Sequence, residues 1–344
     1  MSLTIPAPRL PDPYQWPSFR WGVIGTGIGR SFVRAVAQQT RQRVVAVTAR
    51  DQAKTHAFAA EFGIETVHSS VEALVNDPGL DVVYIASPHP LHKEQALAAI
   101  AAGKHVLVEK PIAMSAVEAN EITSAGRAAG VLVMEAMWTR YLPQADVIRR
   151  VIADGIIGDV HQVQADFGFV SQYDPSNRLW APELGGGALL DAGIYPVSFS
   201  SSILGSPTLV RVAGDRGRGG VDTRVDILLA APRGRALLST SITTQLPTIA
   251  SVSGSEGGIT IGAPFFTPTQ LTVTRGAAWD GDRAVFSTPE LARNDGGIGL
   301  QATALAQYVA EGRLESPLHP HSEVVDVMRV LDVAREVVSR APLD

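Results

Sequence analysis

The ten residues AGKHVLVEKP (102–111) carry the strongest structural signal in this sequence of 344 residues. A helix is expected to end at the Ala-Gly pair, and residues 105–108 predict a short parallel strand that is buried on both faces. Glu109, Lys110 and Pro111 follow the carboxyl end of that strand, which is the edge where ligands bind in a doubly wound sheet. Because a lysine is rarely buried unless it is paired or functional, we expect Lys110 to lie at a binding site.

Strands and helices alternate on both sides of this segment. Short apolar strands are predicted at 19–24, 44–48, 66–68, 81–86, 105–108 and 131–134, with a helix after nearly every one. This alternation is typical of an α/β fold with a parallel, doubly wound Rossmann sheet. The pattern changes beyond about residue 140. The sequence there predicts a helix at 146–153, a strand at 160–170 and an apolar helix that begins at the three glycines 185–187 and runs to 204. Four or more strands are predicted between 209 and 286, followed by helices at about 297–311 and 322–340. Such a run of strands predicts a carboxyl-terminal α/β domain with a large open, mostly antiparallel sheet.

The chain is too long for one typical core, so two domains are expected. Residues 1–18 are rich in proline and predict an extended arm. Residues 19–138 predict the dinucleotide-binding Rossmann domain. Residues 139–344 predict a domain for substrate binding and oligomerisation.

Charge and hydropathy exclude several classes of partner. The formal net charge is −5 and no basic stripe occurs, which argues against a nucleic-acid partner. No apolar run reaches transmembrane length, and residues 1–18 lack the apolar core of a signal peptide, so we expect a cytoplasmic protein with no membrane partner. Only 18% of the residues are charged, a low share that predicts a surface covered in a homodimer or homotetramer.

The sequence contains no cysteine, which excludes disulfides, thiolate catalysis and cysteine-based metal sites. Of the eight histidines, His319 and His321 are two residues apart and flank Pro320 in a predicted loop. We expect no metal ion there.

A glycine-rich turn, Gly25-Thr26-Gly27-Ile28, follows the first predicted strand and precedes the first helix. The backbone N–H groups of such a turn and the helix dipole favour a pyrophosphate. The turn departs from the GxGxxG pattern, because position 30 is Arg and a glycine lies one place early, at position 29. Either the loop is one residue shorter, or Arg30 stands where a small residue usually packs.

The end of the second strand distinguishes between the two nicotinamide cofactors. An NAD site has a carboxylate there that binds the ribose hydroxyls. Ala49 offers none, whereas Arg50 offers a planar cation suited to a 2′-phosphate. Asp51 comes one residue later and is better explained as the N-cap of the next helix. NADP(H) is therefore the preferred cofactor, with NAD(H) as the alternative.

Two further strand ends complete the predicted cofactor site. Ser87, Pro88 and His92 follow the fourth strand, where they would line the nicotinamide end of the groove. Glu109 and Lys110 follow the fifth. The carboxyl ends of parallel strands meet at one edge of the sheet, so these residues are expected to lie close to the glycine-rich turn.

The candidate chemistry rests on three residues. The sequence shows no serine–histidine–aspartate arrangement, and a nicotinamide performs the hydride step itself, so the protein must supply a substrate position and one proton relay. Lys110 is the first candidate. Asp191 and Tyr195 are four residues apart in an apolar predicted helix, so both face one side of it. An ammonium close to Tyr195 would lower its pKa and make it a better acid–base group, whereas the alternative is a core tyrosine with a locally satisfied hydroxyl.

Four motifs occur in order, GTG at 25–27, AGKHVLVEKP at 102–111, EAMWTRYLP at 135–143 and GGGALLDAGIYP at 185–196. With them the sequence resembles the glucose–fructose oxidoreductase/inositol dehydrogenase (Gfo/Idh/MocA) family over essentially its whole length. The resemblance implies a Rossmann domain followed by an α/β domain whose open sheet often packs in oligomers. It also implies that Lys110 of the Glu-Lys-Pro motif lies at the nicotinamide and the substrate.

The last motif contains Asp191-x-x-x-Tyr195, where many family members have Asp-x-x-x-His. In this it resembles the branch of the dihydrodiol dehydrogenases, glucose–fructose oxidoreductase and NADP-dependent xylose dehydrogenase, in which Tyr is the proposed proton donor. Trp138 and Arg140 fit the same branch. The resemblance therefore implies a substrate site formed by Lys110, Trp138, Arg140, Asp191 and Tyr195.

These observations predict an NADP(H)-dependent oxidoreductase that transfers a hydride between nicotinamide and a carbinol or carbonyl carbon of a sugar or cyclic diol. Tyr195 is expected to act as the acid–base group, assisted by Lys110, with Asp191 positioning the substrate or the lysine. The first alternative is a ketoreductase of a modified or nucleotide-linked sugar. The second is a non-catalytic NADP(H)-binding regulatory protein, against which Lys110 and Tyr195 argue because a sensor needs neither.

Overall fold

The computed structural model describes residues 3–277, 279–292 and 295–342. The outermost residues of the predicted arm and second domain, 1–2 and 343–344, lie outside the described residues. Contacts between Cα atoms divide the described chain into two units. One comprises Leu10–Tyr141 with residues 295–325, and the other comprises residues 3–9, 142–292 and 326–342. Across these residues, no helix combines the length and the hydropathy needed to cross a membrane.

The first unit contains a six-stranded sheet whose strands are all parallel, in the order β3-β2-β1-β4-β5-β6. The order reverses between β1 and β4, which is where open α/β sheets bind ligands. The predicted Rossmann sheet is confirmed. Its elements are β1 (Arg20–Ile24), α1 (Gly29–Gln39), β2 (Arg43–Thr48), α2 (Gln52–Phe62), β3 (Thr66–Val67), α3 (Val71–Val75), β4 (Val82–Ile85), α4 (His92–Ala101), β5 (His105–Glu109), α5 (Ala116–Ala129) and β6 (Val133–Ala136).

The strand β5 shows how the sequence produces this fold. The side chains of residues 106–108 are fully buried, as expected for a central parallel strand covered on both faces. Lys104, just before the strand, is 8% exposed, and its ammonium donates to the carbonyls of Asp77 and Leu80 at 2.8 Å each. The lysine before β5 is therefore structural, whereas Lys110 lies beyond the ligand-binding edge and is half-buried.

The remaining elements begin after the first sheet. They are α6 (Pro143–Ala153), β7 (Val160–Gly168), α7 (Ile194–Leu204), β8 (Leu209–Arg216), β9 (Asp222–Ala231), β10 (Gly234–Ser241), β11 (Ala250–Gly254), β12 (Gly257–Ile261), β13 (Leu271–Arg275), β14 (Asp282–Phe286), α8 (Pro289–Ala292), α9 (Leu300–Ala310) and α10 (His321–Ser339). The second sheet has the order β14-β13-β12-β11-β7-β10-β9-β8, and only its β7–β10 pair is parallel. The predicted open, mostly antiparallel sheet is confirmed.

One face of the second sheet is covered and the other is open. In β9, Val225, Ile227 and Leu229 are buried, while the residues between them are exposed. The helix α7 packs against β7 and β10 on the covered side. This alternation is typical of an antiparallel sheet with one solvated face.

The contact units differ from the predicted domains near the carboxyl terminus. Ala302, Leu305 and Tyr308 on α9 pack into the same apolar core as Trp21 and Phe32. The helix has apolar residues on most of its surface, and such a helix is stable only when it is buried. Residues 295–325 thus belong with the Rossmann core rather than with the second sheet, while the predicted boundary at 138/139 stays a prediction.

Candidate functional site

The glycine-rich turn after β1 has the geometry of a phosphate cradle. Gly25 has φ +106°, and a Cβ there would lie 2.4 Å from the carbonyl oxygen of Ala86, so only glycine fits. A Cβ on Gly27 would meet no protein atom within 4 Å, which leaves open space beside the backbone at the amino terminus of α1. Thr26 is half-buried and Ile28 is 48% exposed on the same turn. A pyrophosphate fits this space and the helix dipole behind it.

The irregular positions 29 and 30 are explained by packing. Gly29 is buried at the start of α1, and a Cβ there would lie 3.4 Å from Cγ1 of Val23 on β1. The Arg30 guanidinium lies over the rings of Phe58 and Phe62, at 5.5 Å from each centroid, and pairs with Glu61. Gly29 therefore faces β1, while the Arg30 side chain lies against aromatic residues of α2.

The end of β2 presents cations and no carboxylate in the position that an NAD site requires. Arg50 is exposed and makes no hydrogen bond or ion pair with the residues that the structure describes. Asp51 is the N-cap of α2, where it accepts from the Lys54 N–H at 3.1 Å, as predicted. Lys54 in the first turn of α2 adds a second exposed cation that the sequence interpretation missed, although its place in that turn could have revealed it.

Of the three predicted residues after β4, two are half-buried and the third is buried. Ser87 and Pro88 are half-buried, and the Ser87 hydroxyl donates to Gln95 at 2.7 Å. His92 is fully buried, with Nε2 at 2.9 Å from the Ser87 carbonyl and Nδ1 at 2.8 Å from the Pro111 carbonyl. Burial lowers the pKa of His92, against the opposing effect of the two carbonyls. The imidazole thus links the loop after β4 to the loop after β5, and the predicted contact of His92 with the cofactor stays a prediction.

The Glu-Lys-Pro turn after β5 is held by buried side chains. The Tyr84 hydroxyl donates a hydrogen bond to Glu109 Oε1, and the Lys110 N–H donates one to Glu109 Oε2 at 3.1 Å. Burial raises the pKa of the Glu109 carboxyl, which is 6% exposed. The Ile112 N–H donates to Glu135 Oε1 at 2.8 Å. Glu109 therefore supports the turn from inside, while Lys110 is half-buried at the edge of the sheet.

The motif that contains Trp138 and Arg140 forms a short 3₁₀ turn after β6. Trp138 is half-buried. Arg140 is 5% exposed, and its Nη2 lies 2.7 Å from Oε1 of Glu323. The pair holds the guanidinium in place beside β6, and the predicted contact of Arg140 with the substrate stays a prediction. Glu323 lies 183 residues away in the sequence, and no local pattern could have revealed the pair.

Asp191 and Tyr195 lie in the second unit, and the helix that carries them is not regular. Residues Leu189–Gly193 form a π-helical turn that leads into α7, where a regular helix is predicted. Both side chains are half-buried, while most of their neighbours along the helix are buried. Asp191 Oδ1 pairs with Nη2 of Arg178 at 2.7 Å, a residue that the sequence interpretation missed. π-Helical turns within α-helices are frequent at functional sites.

The phenol of Tyr195 belongs to an aromatic cluster. Its ring stacks on Phe266 with centroids 4.7 Å apart and an interplanar angle of 30°. Phe167 meets it edge-on, with a centroid distance of 5.8 Å. These half-buried rings place an apolar surface beside the hydroxyl. The arrangement suits a substrate that has one apolar ring face and an oxygen to exchange a proton.

Metal ligands do not come together in the described residues, where no group of three His, Asp or Glu side chains is placed to hold an ion. His319 and His321, which flank Pro320, contact different partners. His319 Nε2 contacts Glu135 Oε2 at 2.8 Å, and His321 Nε2 contacts the Val133 carbonyl at 2.9 Å.

Comparison with known proteins gives two family matches. Residues 19–137 match an oxidoreductase family with an NAD-binding Rossmann fold, and residues 146–260 match the GFO/IDH/MocA C-terminal domain. Together the two matches cover more than half of the chain.

Individual relatives are similar over nearly the full length. The trans-1,2-dihydrobenzene-1,2-diol dehydrogenase of Macaca fascicularis is 36% identical over 332 residues, which cover 93% of this chain and 97% of that protein. The protein of the same name from Homo sapiens is 34% identical over 337 residues, with the same coverage. A 3-ketoreductase from Actinomadura kijaniata, solved with NADP and TDP-benzene, has a TM-score of 0.80 and 25% identity, covering 93% of this chain and 98% of that one.

Proposed function

Because the chain belongs to the GFO/IDH/MocA family of NAD-binding oxidoreductases, we propose that it transfers a hydride between NADP(H) and a carbinol or carbonyl carbon of a sugar or cyclic diol. The observation that carries the proposal is the carboxyl edge of the first sheet. There the open cradle at Gly27, the exposed Arg50 and the half-buried Lys110 follow three of its parallel strands. A nicotinamide supplies the hydride chemistry when it is bound.

The chain's own residues then have distinct tasks. Backbone N–H groups of the glycine-rich turn bind the pyrophosphate, and Arg50 binds the 2′-phosphate. Lys110 binds the substrate oxygen. Tyr195 exchanges the proton of that oxygen, and Asp191, held by Arg178, binds neighbouring hydroxyls. The aromatic surface beside Tyr195 favours a substrate with an apolar ring face, in agreement with the diol named for the curated relatives.

A turnover screen tests the proposal. Purified protein is incubated with NADP⁺ and trans-1,2-dihydrobenzene-1,2-diol, aldoses or inositols, and the appearance of NADPH is followed by fluorescence. We expect turnover of the cyclic diol or of an aldose. Binding of NADPH without turnover of any of these, or of keto sugars in the reverse direction, would instead support a regulatory NADP(H)-binding protein.

A ketoreductase acting on a nucleotide-linked sugar is the second candidate. It is favoured by the likeness to the 3-ketoreductase solved with NADP and TDP-benzene. Reduction of a nucleotide-linked 3-keto sugar by NADPH, faster than that of any free sugar or diol, would select this candidate.

Replacing Arg50 with Ala is expected to weaken NADPH binding by about ten- to a hundredfold and to change NADH binding little. A charge-assisted contact to a 2′-phosphate contributes roughly 1.5–3 kcal/mol, and NADH has no such phosphate. Fluorescence titration of both reduced cofactors measures the effect. Arg43→Ala is the matched control, because Arg43 lies at the opposite end of β2 and pairs with Glu65. Wild-type protein that binds NADH as tightly as NADPH would contradict the prediction.

The open face of the second sheet is proposed to bind a second copy of this chain, giving a homodimer or homotetramer. Leu228 and Leu237 lie directly opposite each other on β9 and β10 of this face, 37% and 47% exposed. Light scattering at micromolar concentration is expected to give at least a dimer, and the double variant Leu228→Glu/Leu237→Glu is expected to give monomers, because it places charges opposite each other in the contact. A wild-type monomer across this range would count against the interface.

A small-molecule substrate as the other partner and a cytoplasmic location also stay predictions.

A further inference from the structure

The turn of residues 110–112 is shaped by side chains rather than by a neighbouring strand. The N–H of its first residue donates to Glu109 Oε2 at 3.1 Å. The carbonyl of its second residue lies 2.8 Å from Nδ1 of His92, and the N–H of its third residue donates to Glu135 Oε1 at 2.8 Å. Since Pro111 has no N–H, these contacts define the path of the backbone that carries Lys110.

Glu135 is the member of this set that depends on a distant segment. It lies on β6, beside β5, and its side chain is 1% exposed. Its Oε2 lies 2.8 Å from Nε2 of His319, whose side chain is also 1% exposed. A buried carboxylate is stable only with a donor or a counter-charge beside it. His319 is therefore the hydrogen-bonding partner that holds the Glu135 carboxyl beneath the turn.

The opposite side of His319 continues the same row of acidic and basic side chains. Its Nδ1 lies 3.5 Å from Oε2 of Glu323, and Oε1 of Glu323 lies 2.7 Å from Nη2 of Arg140. Burial raises the pKa of Glu323, but His319 and Arg140 outweigh that effect and lower the pKa to about 2. Glu323 is thus ionised at neutral pH. Acidic and basic groups therefore alternate from Arg140 to Glu135, and Glu135 accepts from the Ile112 N–H at the end of this row.

We propose that Glu135, held by His319, is a positioning residue that sets the place of Lys110 through its hydrogen bond to the Ile112 N–H. The inference rests on the proposed role of Lys110 in binding the substrate oxygen. Without the bond, the turn loses one of its side-chain anchors two residues from the lysine. A misplacement of about 1 Å at a reacting centre costs about a hundredfold in rate, so a positioning effect is measurable.

The first experiment compares His319→Gln with His321→Gln, measured with NADP⁺ and the best substrate of the screen. The two histidines are 2% and 4% exposed in one segment, but His321 contacts the Val133 carbonyl and Arg127 instead of Glu135. Both variants are expected to lose thermal stability. Only His319→Gln is expected to lower kcat, by about ten- to a hundredfold, with the Kd of NADPH changing less than about threefold. Equal kcat values for the two variants would overturn the proposal.

The second experiment separates positioning from a general loss of structure. Glu135→Gln keeps an oxygen that accepts from the Ile112 N–H and is expected to retain kcat within about fivefold, whereas Glu135→Ala is expected to lose about ten- to a hundredfold. In a Lys110→Ala background, Glu135→Ala is expected to lower kcat by less than about twofold, because residues that act as a unit are not additive.

The cycle also separates two kinds of failure. A multiplicative loss in the double variant, with a low kcat for Lys110→Ala alone, would overturn the positioning role and leave the role of Lys110 intact. Wild-type kcat for Lys110→Ala would overturn the role of Lys110 and this inference with it. If Glu135→Ala does not fold, Glu135→Gln and His319→Gln are compared instead, each in the wild-type protein and in the Lys110→Ala variant.

Discussion

Replacing Tyr195 with Phe is expected to lower kcat by about 10²–10⁴-fold while the Kd of NADPH stays nearly unchanged. General acid–base groups typically contribute this much to a rate. The phenylalanine retains the stacking on Phe266 and the edge contact with Phe167, so it removes the hydroxyl and little else. Initial rates with the substrate of the screen, together with a fluorescence titration of NADPH, measure the two quantities.

Tyr14→Phe is a suitable control for that variant, because Tyr14 is 74% exposed and lies in the amino-terminal arm. It is expected to keep the wild-type kcat. If Tyr195→Phe also kept it on a verified substrate, the proton would have to pass through a bound water or through His89. His92 would be a poor replacement, since both of its ring nitrogens contact carbonyl oxygens in the interior.

Replacing Lys110 with Ala is expected to cost as much kcat as the tyrosine variant, or more. The change removes the cation that we propose to bind the substrate oxygen and to stabilise the negative charge that develops there. The buried contacts of the turn involve backbone groups of residues 110–112, so we expect the alanine variant to fold normally. The measurement is kcat at saturating NADP⁺, with the melting temperature recorded in parallel.

Lys104→Ala is the matched control for this variant at the other end of β5. Its ammonium donates to the carbonyls of Asp77 and Leu80, and removing it leaves these acceptors unsatisfied. We expect a loss of about 1–3 kcal/mol in the free energy of unfolding and an unchanged kcat. The opposite pattern, with activity lost in Lys104→Ala and retained in Lys110→Ala, would refute the assignment of the two lysines.

Much of the first unit could be predicted because its signals are local. Strands buried on both faces are continuous apolar runs, and the predicted strand at 105–108 is observed as β5 (His105–Glu109). Asp51 caps the amino terminus of α2 through its carboxylate, and Gly63 ends the helix because glycine adopts a left-handed conformation without strain. These features depend on a few consecutive residues, so they can be predicted from the sequence alone.

The polar residues next to the strand ends were harder to assign. The sequence placed His92 and Arg140 on ligands, and the structure buries both. A polar residue that the fold buries at a strand end needs a group of the protein as its partner. For Arg140 that group is Glu323, which lies 183 residues further along the chain. Lys110 is half-buried and Arg50 is exposed at their strand ends, and their roles in the site stay predictions.

The sequence alone determined the order of strands, turns and helices, the glycine cradle and the four motifs, because periodicity, capping and backbone preference act between neighbouring residues. Only the tertiary structure decided that Glu135 pairs with His319, that Asp191 pairs with Arg178, and that α9 packs into the first core. Buried charges need partners, and the partner is whichever group the folded chain brings within hydrogen-bonding distance. Such pairs join positions 13 to 184 residues apart, and no local pattern encodes that closeness.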